Sequence, residues 1–275
     1  MHAFPPLPTV ADAPPSLFDG HLWIQEWVCG GPLRVQLRKS GLLRFGDADR
    51  VFDPDDVPPG YRHAVRHVRE RFDRDALRAA LDDVESAVFY GTATRQQPLD
   101  YEWATLPGFL GFDAYHAGDD RFLPPDATET LYDRLGLTPL PAVAKEVRGT
   151  DFDPADYPLP ESSWRDGSAA GVLVRNKTGD RAVRHADSLE PPEPVAFDAD
   201  PTDLAERFVT DARVERAREA AAGDPAAGID EVVDRVLELL AREEHARLYG
   251  DDAPIDVEAF ESAAADRARR LLDAA

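Results

Sequence analysis

The sequence predicts an α+β chain with a helical tail, and three observations carry that prediction. Most strand-like runs and all four tryptophans (Trp23, Trp27, Trp103, Trp164) lie before about residue 190. A Pro- and Asp-rich stretch, 190–201, reads EPPEPVAFDADP and has the composition of a linker. Three stretches with helical spacing of apolar residues follow it. The expected domains are therefore 1–192 and an all-helical 201–275.

The elements follow in order. Residues 33–37 alternate as LRVQL and 42–45 form a short apolar run, with Ser40-Gly41 between them, which predicts a β-hairpin. Residues 53–60 (DPDDVPPG) read as a loop. Over 62–81, Ala64, Val65, Val68, Phe72, Ala76 and Leu77 recur at helical spacing with arginines between them, which predicts one helix. Residues 88–90, 109–112 and 171–174 are short candidates for buried strands, and 176–180 reads as a turn. The tail predicts helices over 202–222, 229–249 and 257–274, with Val232, Val233, Val236 and Leu240 on one face of the second.

Composition narrows the class. A chain of 275 residues with 43% hydrophobic content can build one large domain, or a catalytic-sized domain and a small one. The net charge is -22, and only Lys39, Lys145 and Lys177 are lysines. Abundant acid with scarce lysine is the pattern of salt-adapted cytoplasmic proteins, whose surfaces stay hydrated where salt screens self-repulsion. In such a protein only local basic clusters report on partners, because the global charge reflects the solvent. Cys29 is the only cysteine, so no internal disulfide forms and no disulfide-linked partner is expected. The first 20 residues lack the basic start and apolar stretch of a signal peptide, and no apolar run approaches the ~18 residues that span a bilayer. A cytoplasmic protein with no membrane partner is expected.

Four segments carry chemistry in their spacing. Residues 21–37 read HLWIQEWVCGGPLRVQL, 89–93 read FYGTA, 109–115 read FLGFDAY and 169–176 read AAGVLVRN. In this order they resemble the ATP-dependent RNA ligases of the covalent nucleotidyltransferase superfamily. The resemblance implies a nucleotidyltransferase (ATP-grasp-like) domain of antiparallel sheets with flanking helices, followed by a small helical domain. It also implies a lysine that attacks the α-phosphate of ATP, with acidic groups holding divalent metal ions against the phosphates.

The scaffold positions of that pattern are kept, at Gly30, Arg34, Gly91, Asp113, Gly171 and Arg175. Of these, Gly30, Arg34, Asp113 and Arg175 are identified as a vestigial cofactor site. The chemical positions depart from the pattern. Trp27 stands where the family has its nucleophilic lysine and Cys29 where it has an aspartate. Thr92 replaces the ribose-binding glutamate and Ala170 the metal-associated one, and the closing R-A-V-R at 181–184 lacks the final lysine. Losing a covalent nucleophile deletes the intermediate rather than slowing it. Lys39 and Lys177 fall in turns, poorly placed to replace it. The sequence therefore predicts no catalytic residue, no bound metal, and a need for ATP and Mg only if activity persists. Trp27 is expected as an apolar filler over an unused pocket, with base stacking as the alternative. Cys29 is expected as an inert buried thiol.

Arg62, Arg66 and Arg69 lie in the strongest local basic cluster and are the candidate nucleic-acid contacts. His63 and His67 have metal-binding spacing but no third ligand nearby. No GxxxxGK[ST] loop and no GxSxG elbow occurs. The leading expectation is a ligase-like protein that makes no lysyl-AMP and binds RNA or an active ligase paralogue. The alternatives are a ligase working through an altered site and an acidic structural interaction protein.

Overall fold

The computed structural model describes residues 1–3, 7–187, 189, 199–223, 227–250 and 255–274. In chain order its strands are β1 His21–Glu26, β2 Gly30–Leu37, β3 Leu43–Gly46, β4 Ala87–Thr94, β5 Phe109–His116, β6 Arg121–Phe122, β7 Thr138–Pro139, β8 Ala142–Arg148, β9 Gly171–Asn176 and β10 Arg181–His185. The helices are α1 Pro59–Arg71, α2 Arg74–Ala80, α3 Pro125–Arg134, α4 Pro201–Phe208, α5 Asp211–Ala221, α6 Ile229–Glu243 and α7 Val257–Asp273.

The chain divides into two compact units. One comprises Met1–Val57, Ala64–Thr94 and Tyr101–Leu189; the other comprises Pro58–His63, Arg95–Asp100 and Glu190–Ala275. The first holds two sheets. A four-stranded antiparallel sheet runs in the order β10-β9-β1-β8. A six-stranded sheet runs β3-β2-β4-β5-β6, with β7 added to β5 as its one parallel pairing.

Alternation places the core. On the four-stranded sheet Leu22, Ile24, Val172 and Val174 face Leu17 and Phe152 in one apolar layer. Their alternating neighbours Gln25 and Arg175 reach the second sheet, where Gln25 Nε2 donates to the Leu140 carbonyl at 3.0 Å. On the six-stranded sheet Phe89 meets Phe72 at 5.5 Å and Tyr132 at 6.2 Å between ring centroids. Gly111 admits the Tyr132 ring, since a Cβ there would lie 2.2 Å from it.

The expected hairpin forms, with β2 and β3 paired in register from Arg34↔Gly46 to Leu37↔Leu43. Gly41 turns it at a φ of +90°, a region that glycine enters without steric cost. The single helix expected over 62–81 is two helices. Phe72 is buried at the break, and the Asp73 side chain caps α2 by accepting from Asp75 N at 3.0 Å and Ala76 N at 2.8 Å. The strands expected at 88–90 and 109–112 are longer, since both are eight-residue strands at the sheet centre.

The second unit buries Val236, Leu240, Phe260 and Ala264 among its helices. The helix expected over 202–222 breaks at Val209-Thr210, where Thr210 caps α5 through Arg213 N. The helix expected over 229–249 leaves α-geometry at Glu244 and ends in a π-helical turn, His245–Tyr249. Of the linker expected at 190–201, positions 190–198 lie outside the described residues; Pro201 opens α4, capped by Asp200. Among the described residues no helix is long and apolar enough to cross a membrane.

Candidate functional site

The motif segments converge where the two sheets meet. β1 belongs to one sheet and β2 to the other, so Trp27-Val28-Cys29 links the two. Trp27 N donates to the Gly171 carbonyl at 3.0 Å, which ties this link to the start of β9. The half-buried indole sits 6.1 Å from the Phe112 ring and 6.1 Å from the His185 ring, between centroids. It lines, rather than fills, a cavity of about 460 Å³ whose walls include Gly30, Arg34, Tyr90, Thr92 and Phe112. Trp27, Gly30, Arg34 and Thr92, four of the sequence-predicted positions, are thus brought together.

Each takes its place for a local reason. Gly30 faces β4 so closely that a Cβ would lie 2.2 Å from the Ala93 carbonyl oxygen and 2.4 Å from Thr92 Oγ1. Its conformational demand is sheet packing. Arg34, only 5% exposed, donates from Nη1 to the His2 carbonyl at 3.3 Å and from Nη2 to the Arg50 carbonyl at 3.2 Å. Thr92 is buried on β4. The pairing of β4 with β5 shifts register between Tyr90 and Gly91, because Tyr90 opposes Asp113 and Gly91 opposes Gly111. Phe112 is the extra residue of that bulge, a device that re-aims side chains. Phe112 turns to the cavity and Asp113 to the arginines.

Asp113 and Arg175 do not line the cavity; they brace the sheets. Asp113 is wholly buried and accepts from Arg175 Nη2 at 2.9 Å, from Arg181 Nη1 and from Ala114 N at 3.0 Å. Arg175 also donates to the Phe112 carbonyl, and to the Leu123 carbonyl at 3.2 Å. The Arg181 guanidinium lies 4.1 Å from the centroid of the Phe122 ring. Burial pushes the Asp113 carboxyl up and the Arg181 guanidinium down, while their mutual attraction opposes both shifts.

The remaining motif positions are apolar or committed. Glu26 is buried, accepting from Ser162 Oγ at 2.6 Å and Ser163 N at 3.0 Å. Cys29 N donates to Tyr101 Oη at 3.0 Å, and burial pushes the Cys29 thiol up, away from thiolate chemistry. Ala170 is fully buried, its carbonyl accepting from Ala186 N at 2.9 Å. With Thr92 and Ala170 at the positions the resemblance gives to carboxylates, this donor set does not fit a phosphate-bound divalent metal. No group of three or more His, Cys, Asp or Glu side chains is arranged to hold a metal ion among the described residues.

The three lysines stand elsewhere. Lys39 Nζ is 3.5 Å from Asp83, Lys145 Nζ 2.7 Å from Glu129 and Lys177 Nζ 2.7 Å from Glu146. Lys177 is held above the usual lysine range by its hydrogen bond to Glu146, the opposite of what an amine nucleophile requires.

The candidate basic contacts on α1 divide. Arg62 pairs with Glu261 at 3.1 Å, Arg66 is half-buried, and Arg69 is exposed beside the Phe45 ring. Arg69 also lines a groove of about 730 Å³ together with Arg38 and Arg44. Sequence reasoning missed Arg181 as a brace and Tyr90 and Phe112 as cavity walls. Strand alternation around Gly91 could have shown Tyr90 on the face shared by Thr92, but the bulge hides Phe112.

No family model matches the chain, and no curated protein does. Solved structures do. A Naegleria gruberi RNA ligase with PPi aligns at a TM-score of 0.50 and 11% identity, covering 68% of this chain and 56% of that one. A variant of the same ligase with ATP and Mn aligns at 0.50 and 12%, covering 66% and 56%. An archaeal ATP-dependent RNA ligase aligns at 0.47 and 16%, covering 97% and 65%. The chain thus spans less than two thirds of the length of these ligases. The likeness to the Naegleria ligase shows the fold over the aligned part: antiparallel sheets and helices arranged as in that RNA ligase.

Proposed function

We propose that this chain, on a ligase fold, forms no lysyl-AMP and serves as an RNA-binding or accessory protein. The observation that supports this most directly is the commitment of every lysine. Lys39, Lys145 and Lys177 are each drawn to a carboxylate, and none lines the cavity beside Trp27. A covalent nucleophile must lie within contact of the phosphorus it attacks, so an amine spent elsewhere supplies no intermediate. Thr92 and Ala170 add that the acidic partners of such chemistry are missing too. The ligase-like fold is what points to RNA, or to an active ligase, as the partner. A cytoplasmic site of action and adaptation to high salt complete the reading, on the net charge of -22 and the scarcity of lysine.

Intact-protein mass after incubation with ATP and Mg in high salt, quenched in alkali to preserve a phosphoramidate, tests the proposal. No mass increase is expected. Addition of one AMP would overturn it, and peptide mapping would then identify the lysine. Trp27→Lys alone is expected to restore no labelling, because Cys29, Thr92 and Ala170 remain.

A further inference from the structure

The cavity beside Trp27 has a composition that suits a different ligand from a nucleotide. Its volume of about 460 Å³ lies in the range of small-molecule sites. Trp27, Tyr90 and Phe112 give it three aromatic walls. Arg34 gives it a cation that no carboxylate among the described residues neutralises. Arg34 is 5% exposed, its guanidinium is held by two backbone carbonyls, its Nε has no hydrogen-bond partner, and it pairs with no carboxylate among the described residues. Asp49, the acidic residue of the lining, is exposed and forms no ion pair with it. Arginine keeps its charge at any working pH, so a buried guanidinium bonded only to carbonyls remains an uncompensated charge.

We propose that this cavity binds a small aromatic carboxylate, its flat body between Trp27, Tyr90 and Phe112 and its carboxylate on Arg34. The planar guanidinium matches a carboxylate in charge and in fork geometry, and the bond is charge-assisted. Aromatic walls bury an apolar ring system with little loss of conformational entropy. An adenine nucleotide fits the same walls poorly. Its ring nitrogens, hydroxyls and multiply charged phosphates would find Thr92, a single cation, the Tyr90 hydroxyl already bonded to His2 and the repelling carboxylate of Asp49, leaving several polar groups desolvated without partners. This assignment goes beyond the reading of the chain as a ligase-fold protein without lysyl-AMP, and it stands or falls separately, since it is read by binding and that one by covalent labelling.

Calorimetric titration of the full chain in high salt with 1-naphthoate, 1-naphthamide and AMP tests it. Naphthoate is expected to bind at one site per chain, and the neutral amide at least about tenfold more weakly, the scale of one charge-assisted hydrogen bond. Trp27→Ala is expected to weaken naphthoate by about tenfold through lost burial, which locates the site. Arg34→Met is expected to abolish the preference for acid over amide. Should that buried substitution unfold the chain, the acid–amide comparison on the unaltered protein still decides. Equal binding of acid and amide, no binding of naphthoate, naphthoate binding unchanged in Trp27→Ala, or tighter binding of AMP than of naphthoate would each overturn the proposal.

Discussion

Asp113 holds two arginines from β9 and β10 with no exposed surface of its own. Removing one member of a buried ion network leaves the others charged and desolvated, at a cost of about 3–5 kcal/mol. Asp113→Asn is therefore expected to lower the stability by that order, read as a shift of the urea midpoint at unchanged slope. Gly30→Ala is expected to cost about 1–3 kcal/mol by overpacking against Ala93 and Thr92, measured in the same titration. The identities of Gly30, Asp113 and Arg175 were legible from motif spacing; their physical roles were not. Asp113 and Arg175 are 62 residues apart and belong to different sheets, so only the folded chain shows that they meet. The same holds for the cavity, whose buried cation Arg34 is held by the carbonyls of His2 and Arg50, distant in sequence.

Strand and helix types were legible wherever periodicity was strong, as in the β2–β3 hairpin and the apolar face of α6. Breaks inside helical periodicity were not, because a cap interrupts the backbone without interrupting the apolar spacing. Asp73 is such a cap, and Asp73→Ala is expected to destabilise by about 1 kcal/mol, seen as a lowered melting temperature. The π-helical turn after α6 has a different signature. Burial, then the charge of Arg95, pushes His245 down to about 3 from its ordinary 6.5, so the folded chain keeps it neutral. The unfolded chain takes up that proton first as pH falls. The contribution is full above about 6.5 and declines below it, by up to about 1.4 kcal/mol per pH unit, until the folded state protonates near 3. His245→Phe is expected to flatten the loss of stability between about pH 6.5 and about pH 5. Equal slopes in the two proteins would contradict the assignment.

At the scale of the whole molecule, the net charge of -22 makes self-repulsion a global term. Screening falls from a reach of about 10 Å at 0.1 M salt to about 3 Å at 1 M. The melting temperature is expected to rise with added KCl over that range, and a flat or falling trend would remove the salt-adapted reading. The fold class and its helical tail were legible from composition along the chain. The sheet order was not, because β1 pairs with β8 and β9 rather than with its neighbour β2. That order has a consequence for synthesis. When β1 leaves the ribosome, its partners at Ala142–Arg148 and Gly171–Asn176 have yet to be made, whereas β2 to β5 can pair with one another once His116 has emerged, before either partner of β1 exists. At translation speeds of about 5–20 residues per second, the HLWIQE strand waits about 6–30 seconds as an unpaired edge. Nascent chains halted before residue 142 are expected to be cleaved by protease within β1, and those released beyond residue 185 to be protected there.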